Sequence, residues 1–340
     1  MSEIAVIGAG AWGTGIAIVL GRKGTHRVRL WAHESDVCES ITQKRLNEKF
    51  LPGRRIPDSV TTSNDLAATL YGAQIVVSVM PSQHCRALFE RMRPLMPPQT
   101  LIVSATKGLE EGSLQRMTEV ITQVLKRDDE STSAVGALSG PSFAQEVARG
   151  DPTAITIASR DAALLRTVQQ EFSDSSFRIY TNSDVIGVEL GGALKNIVAI
   201  AAGICDGLGF GHNSVAALIT RGLAEMTRLV VACGGRAETM AGLAGLGDLV
   251  LTCTGGLSRN RSVGVELGRG RKLTDIIAGM HGMVAEGVFT TTAAVGLAHA
   301  RNVEMPITEQ MHAILHHGKS PREAIQELMA RSGKSEGGSS

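Results

Sequence analysis

Aromatic residues are scarce: two tryptophans, two tyrosines and seven phenylalanines make up 3% of the 340 residues. So few rings leave little for bases to stack on, which argues against single-stranded nucleic acid as a partner. Neither sign of charge dominates, with 34 Lys and Arg against 33 Asp and Glu. No basic excess points to duplex nucleic acid or to an anionic membrane surface. The five cysteines, Cys38, Cys85, Cys205, Cys233 and Cys253, are odd in number, scattered and without Cys-x-x-Cys spacing. They read as buried or incidental thiols of a reducing compartment, not as a disulfide framework. The most apolar run, Ile197 to Cys205, follows Lys195 and Asn196 directly and falls short of the ~20 residues that a membrane span needs. Met1-Ser2-Glu3 enters a strand pattern at once, with no basic leader, so a soluble cytoplasmic protein is expected. The histidines of the second half, His281, His299, His312, His316 and His317, have no zinc-ligand spacing, and His-Glu-x-x-His is absent. No metal is expected. Gly-x-Ser-x-Gly and Gly-Lys-Ser/Thr are missing too, which speaks against a hydrolase or an NTPase.

What is abundant is glycine, 39 residues of it, and its first cluster is the most telling. Ile4-Ala5-Val6-Ile7 reads as a strand that runs into Gly8-Ala9-Gly10-Ala11-Trp12-Gly13. In Gly-x-Gly-x-x-Gly, Gly8 permits the tight turn, Gly10 lets backbone approach a pyrophosphate, and Gly13 lets the helix sit close to the strand. The helix N-terminus then offers free N–H groups and positive dipole to the anion. Strand patterns recur at Arg27 to Trp31, Ile75 to Val79, Leu101 to Ser104, Ala134 to Leu138 and Ala154 to Ala158. Helical stretches such as Glu119 to Leu125 and Ala162 to Phe172 separate them. Such alternation predicts an α/β fold, a Rossmann-type doubly wound parallel sheet covered on both faces. Near residue 184 the character changes. Val185 to Ile204 is apolar nearly all round, which predicts a buried helix, and beyond it only helices and loops are expected. The expected organisation is a dinucleotide-binding domain over 1–184, an all-helical substrate domain over 185–331 and a disordered Gly/Ser-rich tail over 332–340. Ser320-Pro321-Arg322-Glu323 reads as a capping box.

Several segments carry polar groups where ligands of such sheets bind, at the carboxyl ends of strands. Met80-Pro81-Ser82-Gln83 and Ser104-Ala105-Thr106-Lys107-Gly108 each close a strand, as does Leu138-Ser139-Gly140-Pro141-Ser142-Phe143-Ala144. The sharpest is Gly191-Gly192-Ala193-Leu194-Lys195-Asn196 on the apolar helix. The helix neighbours of Lys195, at three and four residues, are uncharged, and the two glycines predict room for a ligand or another chain. A buried lysine without a partner is costly, so it implies a use, or else an ion pair with Glu189. Gly242 to Asp248, with Thr252 beyond, brings backbone close to something and ends at a carboxylate. Leu257-Ser258-Arg259-Asn260-Arg261 precedes a helix expected at Val263 to Leu267 and has the makings of a phosphate site. Val284 to Val288 reads as a loop whose Glu286 faces a ribose or an amide.

Together these segments resemble the bacterial type of the NAD(P)-dependent glycerol-3-phosphate dehydrogenase family. The matching motifs are GAGAWGT from Gly8, PSQ from Pro81, ATKGLE from Ala105 and SGPSFAQEV from Ser139. GVELGGALKN from Gly187, GLGFG from Gly207, ITRGLAEM from Ile219, GLAGLGDL from Gly242, LSRNR from Leu257 and VAEGV from Val284 follow in order. The resemblance implies reduction of dihydroxyacetone phosphate by NADH or NADPH to sn-glycerol 3-phosphate, for phospholipid synthesis. It implies Lys195 as catalytic acid/base, and Lys107, Gly140, Ser142, Asp248, Ser258, Arg259 and Asn260 as substrate contacts alongside it. It implies Ala11, Trp12, His33, Phe50, Lys107, Ala144, Arg259, Val284 and Glu286 as coenzyme contacts, beside Gly8, Gly10 and Gly13. Phe50 stands where tyrosine is frequent and His33 where arginine is common. Glu34 beside His33 suits a ribose hydroxyl, so NAD and NADP both remain open. A homodimer is expected, with no nucleic-acid partner. Two rival readings are a β-hydroxyacid dehydrogenase, which binds carboxylate in place of phosphate, and a nucleotide sensor without turnover.

Overall fold

The computed structural model describes residues 2–126, 133–280 and 282–333. Ten strands form: β1 (Ser2–Ile7), β2 (His26–Trp31), β3 (Leu46–Asn47), β4 (Leu51–Arg55), β5 (Val60–Ser63), β6 (Ile75–Ser78), β7 (Leu101–Ser104), β8 (Val135–Ser139), β9 (Thr153–Ala158) and β10 (Phe177–Asn182). Eight of them make one sheet in the order β10-β9-β8-β7-β6-β1-β2-β5, while β3 and β4 pair as a small ribbon. Helices α1 (Ala11–Arg22), α2 (Ser35–Lys44), α3 (Leu66–Leu70), α4 (Cys85–Met92), α5 (Met117–Leu125), α6 (Ala144–Arg149) and α7 (Ala162–Phe172) connect the strands.

Both faces of the sheet are covered, and β1 shows why its sequence is apolar throughout. Ile4 and Val6 join one core cluster, while Ala5 and Ile7, pointing the other way, join a second. The pairing is parallel except at one place. β8 and β9 run antiparallel, with Leu138 opposite Ile157, so the expected all-parallel sheet is mixed. The helix α6 between them is only six residues long. Strands β3, β4, β5 and β10 escape the sequence pattern. β10 alternates buried and exposed residues at the sheet edge, and β3 has two residues.

The helical half contains α8 (Val185–Gly207), α9 (His212–Ala232), α10 (Ala237–Met240), α11 (Asp248–Thr254), α12 (Arg259–Gly268), α13 (Leu273–Ala278), α14 (Glu286–Ala300), α15 (Pro306–His317) and α16 (Pro321–Ala330). By length and composition the 23-residue α8 could cross a membrane, yet 83% of its apolar window is buried inside the protein. It is the core helix around which α9, α11, α12 and α14 pack. Glycine sets the closest of these contacts. A Cβ on Gly203 would lie 2.0 Å from the Arg261 carbonyl oxygen, and one on Gly264 2.0 Å from that of Ile200. The α8 and α12 backbones therefore touch, which brings the start of α12 to the middle of α8.

Some local expectations are corrected. Ser320 precedes α16, with Pro321 in the first turn, but its side chain caps nothing; the proline-fixed backbone alone starts the helix. The segment 284–288 is not all loop: Glu286 is the first residue of α14. Helix α12 begins at Arg259, four residues before the apolar pattern at Val263. Of the expected disordered tail, residues 334–340 lie outside the described residues, as does His281.

Candidate active site

The glycine turn sits between β1 and α1 as its spacing requires. Gly8 has φ +117° and lies against the Val79 carbonyl, where a Cβ would come within 2.3 Å of the oxygen. A Cβ on Gly13 would lie 1.9 Å from the Gly8 carbonyl oxygen, so these two glycines close the turn on itself. Gly10 differs: nothing stands within 4 Å of its Cβ position. The Ala11 and Trp12 amides of the first turn have no hydrogen-bond partner among the described residues. The Trp12 indole Nε1 is buried and likewise unpartnered. An open backbone edge, unspent donors and a helix N-terminus suit a pyrophosphate. Asn47 braces the turn, donating to the Ala9 carbonyl at 2.7 Å and accepting from the Phe50 amide. Phe50 is half-buried beside it, and the exposed His33 stacks at 5.8 Å on Trp31, the last residue of β2.

Lys107, just beyond the end of β7, meets a buried ionic group of the helical half. Lys195, in the middle of α8, is 5% exposed. Its Nζ lies 2.9 Å from Asp248 Oδ1 and donates to Thr252 Oγ1 at 2.6 Å. Asp248, 1% exposed, gives its other oxygen to Lys107, whose Nζ is 2.6 Å from Oδ2. Lys107 also reaches the Gly140 carbonyl at 3.4 Å. One carboxylate thus bridges two ammonium groups from opposite domains. Burial pushes Asp248 up, but the two lysines outweigh that and hold it below the ordinary carboxylate range. Burial lowers Lys195 to about 8; Asp248 opposes the shift and Lys107 adds to it. Of the three N–H groups of the Lys195 ammonium, the third has no partner among the described residues.

Local sequence explains the placement. Leu243–Gly247 form a π-helical turn that delivers Asp248 to the first position of α11. Its backbone presses on α8, where a Cβ on Gly191 would lie 2.6 Å from the Ala244 carbonyl oxygen. One on Gly192 would lie 2.5 Å from Ser139 Oγ. The two glycines beside Lys195 therefore admit the protein's own backbone and a serine, not a ligand or a second chain. Glu189, the alternative partner for Lys195, is engaged elsewhere: it accepts from the Thr118 amide at 2.8 Å and pairs with Arg116 at 2.6 Å. Thr252, one turn beyond Asp248, is the group that residue patterning left without a role. Its spacing of four on a helix was the signal.

The remaining expected residues fall around this centre. Ser258 caps α12, accepting from the Arg261 amide at 3.2 Å. Arg259 is exposed and within electrostatic reach of Glu286. The Asn260 side chain is spent on structure, donating to Asn196 Oδ1 and accepting from the Gly287 amide, both at 3.0 Å. That leaves its backbone amide, in the first turn of α12, for a ligand. Ser142 donates to the Gly140 carbonyl at 2.9 Å, and Ala144 opens α6 beside Gly15. Glu286 meets Ser82 of the other domain. Val284 is half-buried just ahead of it.

A glycine-closed nucleotide turn at the end of β1 and a lysine–carboxylate–lysine bridge that begins just beyond the end of β7 together point to a two-domain, dinucleotide-dependent dehydrogenase. Comparison with known proteins narrows the class. Residues 3–165 match the N-terminal domain of NAD-dependent glycerol-3-phosphate dehydrogenase, and residues 184–326 match its C-terminal domain. The chain is 67% identical to a glycerol-3-phosphate dehydrogenase (NAD(P)+) of Koribacter versatilis over 331 residues, covering 97% of this chain and 98% of the relative. It is 58% identical to that of Acidobacterium capsulatum over 339 residues, covering 99% and 100%. The crystal structure of glycerol-3-phosphate dehydrogenase from Coxiella burnetii superposes with a TM-score of 0.92 at 44% identity, over 96% of this chain and 98% of that one. The chain belongs to the NAD-dependent glycerol-3-phosphate dehydrogenase family.

Proposed function

We propose that this chain reduces dihydroxyacetone phosphate to sn-glycerol 3-phosphate with NADH or NADPH, reversibly, and so supplies glycerol phosphate for phospholipid synthesis. The observation that carries the reading is Lys195: a buried ammonium fixed by Asp248 and Thr252, with one N–H that has no partner among the described residues. Bound nicotinamide dinucleotide supplies the hydride. Gly8, Gly10, Ala11, Trp12 and Gly13 hold its pyrophosphate, and His33 and Phe50 flank its adenosine end. Lys107, Ala144, Arg259, Val284 and Glu286 complete the coenzyme contacts in this reading.

The substrate phosphate rests on Arg259 and the Asn260 amide, where a cation and a helix N-terminus coincide. Gly140, Ser142 and Ser258 line its path. Lys195 directs its free N–H at the carbonyl oxygen, stabilises the negative charge that grows there and then gives up a proton to it. A folded-state value of about 8 lets Lys195 serve as acid in reduction and as base in oxidation near neutral pH. Asp248, with both oxygens taken by lysines, orients Lys195 and keeps Lys107 near it. We take residues 1–184 as the coenzyme-binding unit, 185–331 as the substrate-binding unit, a homodimer as the assembly and the cytoplasm as the location. Turnover of NADH and NADPH with dihydroxyacetone phosphate tests the reading. Inhibition by inorganic phosphate but not by acetate is expected, and the reverse would favour a carboxylate substrate.

A further inference from the structure

Three segments from the two halves meet at a point where the reading above gives Glu286 a coenzyme contact and Ser82 no role. The Ser82 amide donates to Glu286 Oε1 at 3.2 Å, and Ser82 Oγ donates to Oε2 at 2.7 Å. Ser82 lies just beyond β6, and Glu286 opens α14, 204 residues further along the chain. Gly108, the residue after Lys107, is wedged against both. Its φ is +156°, and a Cβ there would lie 2.5 Å from Ser82 Oγ and 3.3 Å from Glu286 Oε2. Gln83 continues the grip, donating to the Leu109 carbonyl at 3.2 Å. Lys107 is thus held from both sides, its backbone by Gly108 and Leu109 and its ammonium by Asp248. Burial raises the Glu286 carboxyl above its ordinary range, and the bonds from Ser82 act against that rise.

We propose that Ser82 is a positioning residue: by clasping Glu286 it fastens the helical domain to the sheet and holds the Lys107 turn in register with Asp248 and Lys195. The proposal rests on Lys107 and Lys195 being the cations that face substrate. It follows that Ser82 acts on the substrate without touching it. A single hydrogen bond to a buried carboxylate, once lost, frees the turn, and a small displacement of an orienting group is felt strongly at the reacting atoms.

The test uses the full chain in four forms: Ser82→Ala, Ser82→Thr, Glu286→Gln and the pair Ser82→Ala with Glu286→Gln. Ser82→Ala is expected to raise the KM for dihydroxyacetone phosphate by about tenfold, the cost of one charge-assisted bond. Ser82→Thr keeps the hydroxyl and restores most of the loss. Ser82→Ala removes the hydroxyl donor and Glu286→Gln the charge to which it donates, so both act on one contact, and at saturating coenzyme the double variant is expected to have a KM raised by less than the product of the two single effects. A second readout needs no substrate. Acetylation of Lys107 by acetic anhydride, followed by mass spectrometry, is expected to speed up by at least about threefold in Ser82→Ala and to stay at the unsubstituted rate in Ser82→Thr. If the unsubstituted chain fails to turn over dihydroxyacetone phosphate, the proposed reaction fails, while labelling still judges the clasp. Unchanged Lys107 labelling in Ser82→Ala, equal losses in Ser82→Ala and Ser82→Thr, or effects of Ser82→Ala and Glu286→Gln on KM that multiply would each overturn it.

Discussion

The two halves of this protein build their sides of the cleft from different materials. In the sheet half the glycine turn offers mostly backbone: amides at the start of α1 with no partner among the described residues and an open edge at Gly10, with Lys107 the one charge it sends to the bridge. In the helical half the polar surface is buried side chains carrying formal charge. Lys195 and Asp248 are less than a tenth exposed, as are Glu189 and Glu225 on α8 and α9. The difference teaches where each half is fragile. The glycine turn fails by steric intrusion at Gly8 and Gly13, where there is nowhere for a methyl group to go. A buried charge fails by losing its partner, because the surviving ion has no water to replace it.

The largest effect that would break this contrast is at Lys195. Lys195→Ala is expected to slow single-turnover reduction on the order of 10²- to 10⁴-fold, the usual range for a positioned acid. A loss under about tenfold would remove Lys195 from that role. Next comes Gly13→Ala on the backbone side. Its methyl group would lie 1.9 Å from the Gly8 carbonyl oxygen, so calorimetry should show a loss of about 1–3 kcal/mol along with weakened coenzyme binding. Asp248→Asn sharpens the electrostatic side. Asp248 raises the Lys195 value, so removing its charge lets Lys195 fall further below about 8. The alkaline decline of the reduction rate should then move to lower pH, and a move to higher pH would contradict the bridge.

The smallest effect concerns stability alone. Glu225 accepts from the Ile307 amide at 2.7 Å and from that of Thr308 at 3.3 Å, so it caps α15, whose own Met305 offers no side-chain cap. Burial, stronger than those amide bonds, raises its carboxyl to about 7 from an ordinary 4.5. Folding therefore takes up a proton between those values, and stability falls as pH rises through that window. Glu225→Gln removes the titration. Compared with the unsubstituted chain, the variant should gain about 1–3 kcal/mol on going from pH ~4.5 to pH ~8, with activity unchanged. Parallel stability curves for the two proteins over that range would show that Glu225 does not titrate in folding.

How far the sequence could be read follows the same division. The glycine turn was legible because its spacing is a local signature between an apolar strand and an apolar helix. The apolar strands β1, β6 and β7 were legible because both their faces are buried. Lys195 stood out because a charge in an apolar helix needs either a use or a buried partner. Spacing alone could not pair it with Asp248, 53 residues later, or bring Lys107, 88 residues earlier, to the same carboxylate, since pairing at that range belongs to the tertiary fold; the family resemblance is what put both beside it. The glycines at 191 and 192 misled for the same reason: they mark close approach, and only the fold says that the π-helical turn and Ser139 are what approaches. The antiparallel β8–β9 pair was invisible to strand composition, since Ala154 to Ala158 is equally apolar in either direction.

The most direct test of the central claim is the rate of hydride transfer in both directions, measured by stopped flow from about pH 6 to about pH 10, a range that brackets the titration of Lys195. With Lys195 as the proton carrier, reduction should decline and oxidation should rise about a common midpoint near 8, and both dependences should vanish in Lys195→Ala. The same midpoint persisting in Lys195→Ala would assign the proton to another group and contradict the account.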